Sequence, residues 1–302
     1  MKRKAIGFSG VIALLLAAFS CASAPAKPAP PAAATQHHSL WKVRGNNAEL
    51  YLLGSVHVMK EDDYPLPQVI GTAFTNSGIA VFETDIDKLD DPAEAMKLMS
   101  KAQLPDGKTL ETELSPAVYR MFTNHAAQMG VPLLALDQFT PAMAAEALDG
   151  MELLKLGFDP AFGLDKHFYR LAKQAHKRIV PLETIDMQMN LITSLTKQEG
   201  EWYMKTTIEE MDDLPRDFGK IMQAWKTGDA AGLAKLLNEK KSEEPALFKR
   251  LLTDRNERWM PQLLALANGR TNTIVIVGAG HLVGKDGLVA RFSAKGYPVT
   301  QE

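Results

Sequence analysis

Cysteine is nearly absent. Cys21 is the only one in 302 residues, so no disulfide closes within the chain and no domain beyond it holds a catalytic thiol. Long apolar runs are missing after the first two dozen residues. A membrane-crossing helix needs about 20 consecutive apolar residues, and nothing later approaches that length. Clusters of Lys and Arg are missing as well, which argues against binding to a phosphate backbone and against nucleic acid as a partner. No Gly-x-Ser-x-Gly elbow exists, so a serine-hydrolase triad has no support. Gly278-Ala279-Gly280 starts a dinucleotide fingerprint, but Val283 stands where its third glycine belongs.

At the N-terminus, Met1-Lys2-Arg3-Lys4 is basic and Val11 to Phe19 is apolar. A run this short reads as the core of an export signal rather than an anchor. The expected signal covers residues 1–24, with a cut after Ala24 or Ala22, or alternatively lipid attachment at Cys21. A Pro/Ala-rich tether follows over 25–38, and a globular domain over 39–302. The expected location is periplasmic, or membrane-held only through a lipid on Cys21. Loss of the signal removes three positive charges and takes the net charge from −2 to −5.

Trp41–Arg44 and Ala48–Leu53, separated by Gly45-Asn46-Asn47, read as a β-hairpin. Apolar runs at Gly78–Phe82, Val131–Leu136, Arg178–Leu182 and Thr273–Val277 read as further strands, covered on both faces. Helical patterns lie between them, over Ser115–Met129, Gly163–Lys177 and Glu244–Ala267. This alternation predicts an α/β fold whose mixed, largely parallel sheet is flanked by helices. A helical insertion, about 186–268, precedes the last core strand.

Polar residues follow each apolar strand directly. Leu53 leads into Gly54-Ser55-Val56-His57, Phe82 into Glu83-Thr84-Asp85, Leu136 into Asp137, Leu182 into Glu183, and Val277 into Gly278-Ala279-Gly280-His281. In a parallel sheet these positions share the carboxyl edge, where α/β folds place ligands. The two Gly-x-x-His frames suggest glycines that let the chain turn sharply. Two imidazoles with Glu83 make the donor set of a divalent metal site with open positions for water. Other polar features read as structural. His167 and His176 fall on opposite helix faces, His125 is a surface or packing residue, and His37 and His38 are solvated. Met96, Met99, Met187 and Met189 fill the core.

The same residues carry a resemblance. Tyr51 to His57, Val81 to Asp85, and Val277 to Gly284 followed by Gly287-Leu288 resemble the TraB/GumN family, to which the Tiki metalloproteases are related. Gly163-Leu164-Asp165, Leu182-Glu183-Thr184 and Arg255-Asn256 fall in the order of its weaker motifs. The resemblance implies a fold similar to haem-binding ChaN-type lipoproteins and erythromycin esterases. It also implies a Mn²⁺- or Co²⁺-dependent peptidase centre on His57, His281 and Glu83, with Zn²⁺ a further candidate. Asp165, Glu183 and Arg255 join as site residues: either acid to orient or deprotonate water, the arginine to bind a carboxylate or an oxyanion. Ser55 stands where threonine is commoner in the family.

Three functions compete on this basis. The first is an exported metal-dependent hydrolase acting on a peptide or another small substrate. The second is a haem- or metal-binding module without catalysis. The third is a metal-free, esterase-like hydrolase with histidine as base.

Overall fold

The computed structural model describes residues 37–241 and 244–302. The expected export signal, Cys21 and most of the expected tether lie outside these residues. Strands β1 (Leu40–Arg44) and β2 (Glu49–Ser55) form the expected hairpin, followed by β3 (Ile79–Phe82), β4 (Arg178–Pro181), β5 (Thr273–Gly278) and β6 (Val299–Gln301). Helices α1 (Gln68–Thr75), α2 (Pro92–Ala102), α3 (Leu110–Glu113), α4 (Pro116–Met129), α5 (Pro141–Lys155) and α6 (Leu164–Gln174) fill the first half. After β4 come α7 (Ile185–Thr193), α8 (Lys197–Glu210), α9 (Leu214–Lys226), α10 (Ala230–Lys241), α11 (Pro245–Phe248) and α12 (Asp254–Ala267). Two short helices, α13 (Ala279–Leu282) and α14 (Leu288–Ala294), follow β5.

The sheet order is β4-β3-β5-β2-β1-β6. The first four strands run parallel and the last two pairings are antiparallel. This is the mixed, largely parallel α/β sheet the sequence predicts. Alternate residues of the central strands enter two separate cores, because successive side chains of a strand point to opposite faces. Leu53, Phe82 and Ile276 pack with Phe74 of α1 and Phe168 of α6. Leu52, Val81 and Val275 pack with Trp259 and Leu263 of α12 and Phe292 of α14. Burying both faces explains why these strands read as unbroken apolar runs.

The helical insertion is present as α7 to α12. It is fastened to the sheet by Trp225 of α9, whose Nε1 donates to Gly54 O at 2.7 Å while its own carbonyl accepts from Ser39 Oγ. A π-turn at Lys249–Thr253 joins α11 to α12. Among the described residues no helix is long and apolar enough to cross a membrane.

Some expectations fail here. Val131–Leu136 is not a strand; a 3-10 turn occupies Leu133–Ala135, with Leu133 and Leu134 exposed. Pro132 has no N–H for a ladder, and Gly130 has already taken the left-handed position that ends α4. Asp137 therefore leaves the rim. β4 is a partly exposed edge strand rather than a covered one, a position that tolerates Pro181. Met96 and Met99 are exposed, since α2 turns Leu98 and Ala102 inward instead; on α7 Met187 is exposed and Met189 buried. His38 is not simply solvated, for its N–H donates to Glu302 O at 2.7 Å. β6, which pairs with β1, leaves no mark in the sequence because its three residues carry no apolar run.

Candidate functional site

Four parallel strands end at one edge, and each delivers part of a polar centre. β2 runs out into Ser55 and His57, β3 into Glu83, β4 into Glu183, and β5 into Gly278 and His281. The first turn of α6 adds Asp165, and α12 adds Arg255, Asn256 and Trp259. All six residues singled out from the sequence, His57, Glu83, Asp165, Glu183, Arg255 and His281, meet here. Five of them are buried, and His57 is nearly so.

His57 and Asp165 form a dyad. Nδ1 of His57 lies 2.6 Å from Asp165 Oδ2, and Ser55 Oγ donates to the other carboxylate oxygen at 2.8 Å. The carboxylate sets the ring proton on Nδ1 and leaves Nε2 with its lone pair toward the centre. Burial disfavours charge on His57, but Asp165, by charge and hydrogen bond, and Glu83 outweigh it and raise the ring's basicity.

Arg255 is the hub. Its guanidinium donates to Glu83 Oε2 at 2.5 Å, to Glu183 Oε1 at 2.5 and 2.9 Å, and to Leu251 O at 3.1 Å. It also reaches His281 Nε2 at 2.9 Å. Guanidinium only donates, so His281 Nε2 is the acceptor in that contact. Burial and Arg255 together push His281 down to about 3, so the ring is neutral at ordinary pH. Glu83 is held at both oxygens, by Gly278 N–H at 2.7 Å and Gln188 Nε2 at 2.8 Å besides Arg255. Burial works against its charge, yet Arg255, the imidazoles and the Gly278 amide keep the carboxyl well below the usual range. Trp259 completes the floor. Its ring lies 4.4 Å from that of His281, and its Nε1 donates to Glu183 Oε2 at 3.3 Å.

The two glycines matter for a different reason than a sharp turn. A Cβ on Gly54 would stand 3.1 Å from Ala279 Cβ, so its absence lets the two Gly-x-x-His frames pack together. A Cβ on Gly278 would enter the centre itself, between Glu83 and His57.

These residues suit a divalent cation in chemistry. They offer two imidazole nitrogens and a carboxylate, each imidazole anchored through its other nitrogen, with three buried carboxylates set against one guanidinium. They do not form a finished cage. Among the described residues no group of three or more His, Cys, Asp or Glu side chains is arranged to hold a metal. Arg255 already lies on one nitrogen and one carboxylate of that set.

Sequence reasoning missed Gln188, Trp259 and the roles of Ser55 and Asn256. Ser55 and Asn256 sit inside quoted motifs, so their position was visible while their contacts were not. Gln188 lies between two methionines on α7, where nothing in the sequence sets it apart. His167 belongs elsewhere, with its ring 4.8 Å from Tyr64. His125 is half-buried on α4.

A polar centre at the carboxyl edge of a mixed sheet, built from paired Gly-x-x-His frames and strand-end acids, defines the class of protein. The chain belongs to the TraB/PrgY/gumN family, whose profile matches residues 39–301. It is similar to the uncharacterized protein YbaP of Escherichia coli K12, 26% identical over 242 residues, covering 80% of this chain and 87% of that one. YbaP of Shigella flexneri matches to the same extent. An uncharacterized protein of Treponema pallidum is 20% identical over 298 residues, covering 94% of this chain and 89% of its own. No solved structure matches significantly.

Proposed function

We propose that the chain is an exported hydrolase that activates water at the His57–Glu83–His281 centre, with peptides as the substrate class and a divalent metal ion held by those three residues. The observation that carries this reading is the pair of oriented imidazoles. His57 Nε2 carries no hydrogen bond among the described residues, His281 Nε2 is an acceptor, and both border the Gly278 turn. A metal bound there would acidify water and polarise the scissile carbonyl. Asp165 and Glu183 act as positioning residues, through His57 and Arg255 respectively. Arg255 supplies positive charge against the oxyanion that develops on the substrate. Export, with or without a lipid on Cys21, rests on the first 24 residues.

The test is elemental analysis of the mature chain beside His57→Ala and His281→Ala. Roughly one equivalent of manganese or cobalt in the wild type, lost in both variants, is the expected result. Stoichiometric metal retained in both variants would sink the proposal.

One observation favours a second reading. Arg255 covers two of the three donors, which leaves His57 Nε2 to serve as general base without a metal. Peptide or ester hydrolysis that survives exhaustive chelation would select it. A haem titration run in parallel tests the binding-only reading through its Soret band.

A further inference from the structure

We infer that Asn256 is a positioning residue that fixes the ring proton of His281 on Nδ1, independently of whether Arg255 lies on the other nitrogen. This deepens the proposed function, because only that tautomer keeps the Nε2 lone pair available to a cation or a substrate proton.

The amide orientation of Asn256 is set by its surroundings. Its Nδ2 lies 3.1 Å from His281 O and 3.1 Å from Asp286 O. Two carbonyls can be matched only by the NH₂ end, so the amide cannot be reversed. Oδ1 consequently faces His281 Nδ1 at 2.8 Å, and an amide oxygen only accepts. The proton belongs to Nδ1. Both residues are almost wholly buried, at 2% and 3% exposure, so water offers no competing partner. The Trp259 ring covers one face of the imidazole.

Consecutive residues of α12 therefore grip opposite nitrogens of one ring. Residues one apart on a helix diverge by about 100°, which lets Arg255 reach Nε2 while Asn256 reaches Nδ1. The two grips differ in consequence. Anything that uses the Nε2 lone pair must first displace the arginine. Asn256 lies on the opposite nitrogen and is held there by the His281 and Asp286 carbonyls, so use of Nε2 leaves it in place. Without Asn256 the ring is free to carry its proton on Nε2 once Arg255 withdraws, and the lone pair is lost.

The experiment reads two-bond ¹⁵N–¹H correlations of the histidine rings in the whole chain, without metal or substrate, with His281→Gln to assign the signals. Wild type is expected to show the Nδ1–H pattern. In Arg255→Gln, where the residue facing Nε2 no longer dictates the tautomer, that pattern persists. In the double variant Arg255→Gln, Asn256→Leu it gives way to a mixture. A wild-type proton on Nε2, a switch in Arg255→Gln alone, or an unchanged pattern in the double variant overturns the inference. Should the Arg255 variants not fold, Asn256→Leu in the wild-type background decides. Loss of the acceptor moves the Nδ1 proton upfield, and an unmoved proton overturns the inference. The tautomer is read without turnover, so failure of hydrolysis and failure of this inference remain separate results.

Discussion

A Cβ on Gly278 would stand 3.3 Å from Glu83 Oε1 and 3.6 Å from His57 Nε2. Its backbone is not left-handed, so alanine is tolerated by the chain and resisted only by the centre. On the proposed cation site, Gly278→Ala is expected to weaken manganese or cobalt binding at least tenfold, or about 1.4 kcal/mol, by wedging a methyl group between acid and imidazole. Folding stability should change by about 1 kcal/mol or less. Calorimetric titration beside a thermal melt checks both, and unchanged affinity would show that the cation does not sit at this turn. The glycine itself was legible in the sequence, as were all six site residues, because each follows an apolar strand or falls in a family motif. Its reason was not legible. Close approach between β2 and β5 and the occupancy of the centre are distances between segments at least 195 residues apart, and no local pattern encodes them.

Away from the site, α5 and α8 are joined by a buried acid. Glu146 of α5 accepts a short hydrogen bond from Tyr203 of α8, with Asp149 one turn further along α5. Burial and the neighbouring Asp149 push Glu146 up to about 8, against a smaller opposing effect of the Tyr203 hydrogen bond. A free glutamate titrates near 4.3. Between these values the folded chain keeps a proton that the unfolded chain gives up, so stability falls as pH rises across that window. The contribution is whole below about pH 4 and gone above about pH 8, and amounts to a few kcal/mol at most. Glu146→Gln should remove this slope, so that the variant gains on the wild type as pH rises from 5 to 9. Parallel melts across that range measure it; identical slopes would mean that Glu146 is ionised in the folded state. α5 shows why elements differ in legibility. Helices with one apolar face, such as α6, announce themselves, whereas α5 is buried on most sides. The segment between α4 and α5 reads as a strand because Val131–Leu136 is apolar in composition, while Pro132 forbids the pairing.

The α/β alternation, the hairpin and the long helical insertion follow from periodicity. How the ends of the chain meet does not. β6 reaches back to lie antiparallel on β1, with Trp41 opposite Gln301 and Val43 opposite Val299. Gln301 Nε2 donates to His38 O at 2.9 Å and to Gly228 O at 2.6 Å, so one side chain links the approach to β1, the helical insertion and the C-terminus. Glu302 adds an ion pair to Lys42 at 3.2 Å, which is partly exposed and contributes little by itself. The sheet edge that carries the polar centre is therefore held from behind. Trp225 ties the insertion to Gly54 three residues before His57, and β6 closes the far side of the hairpin to which Gly54 belongs. Truncation after Tyr297 should cost about 5 kcal/mol or more, at roughly 1 kcal/mol for each of the three backbone and two side-chain hydrogen bonds lost besides the β1–β6 ladder. It should also expose β1 as an unpaired edge that recruits a second chain. Urea midpoints and light scattering report the two effects separately. A truncated chain of wild-type stability would show that β6 only rests on the sheet, whereas loss of stability together with displacement of the His57 ring signals would show that the whole sheet, not the rim alone, positions the centre.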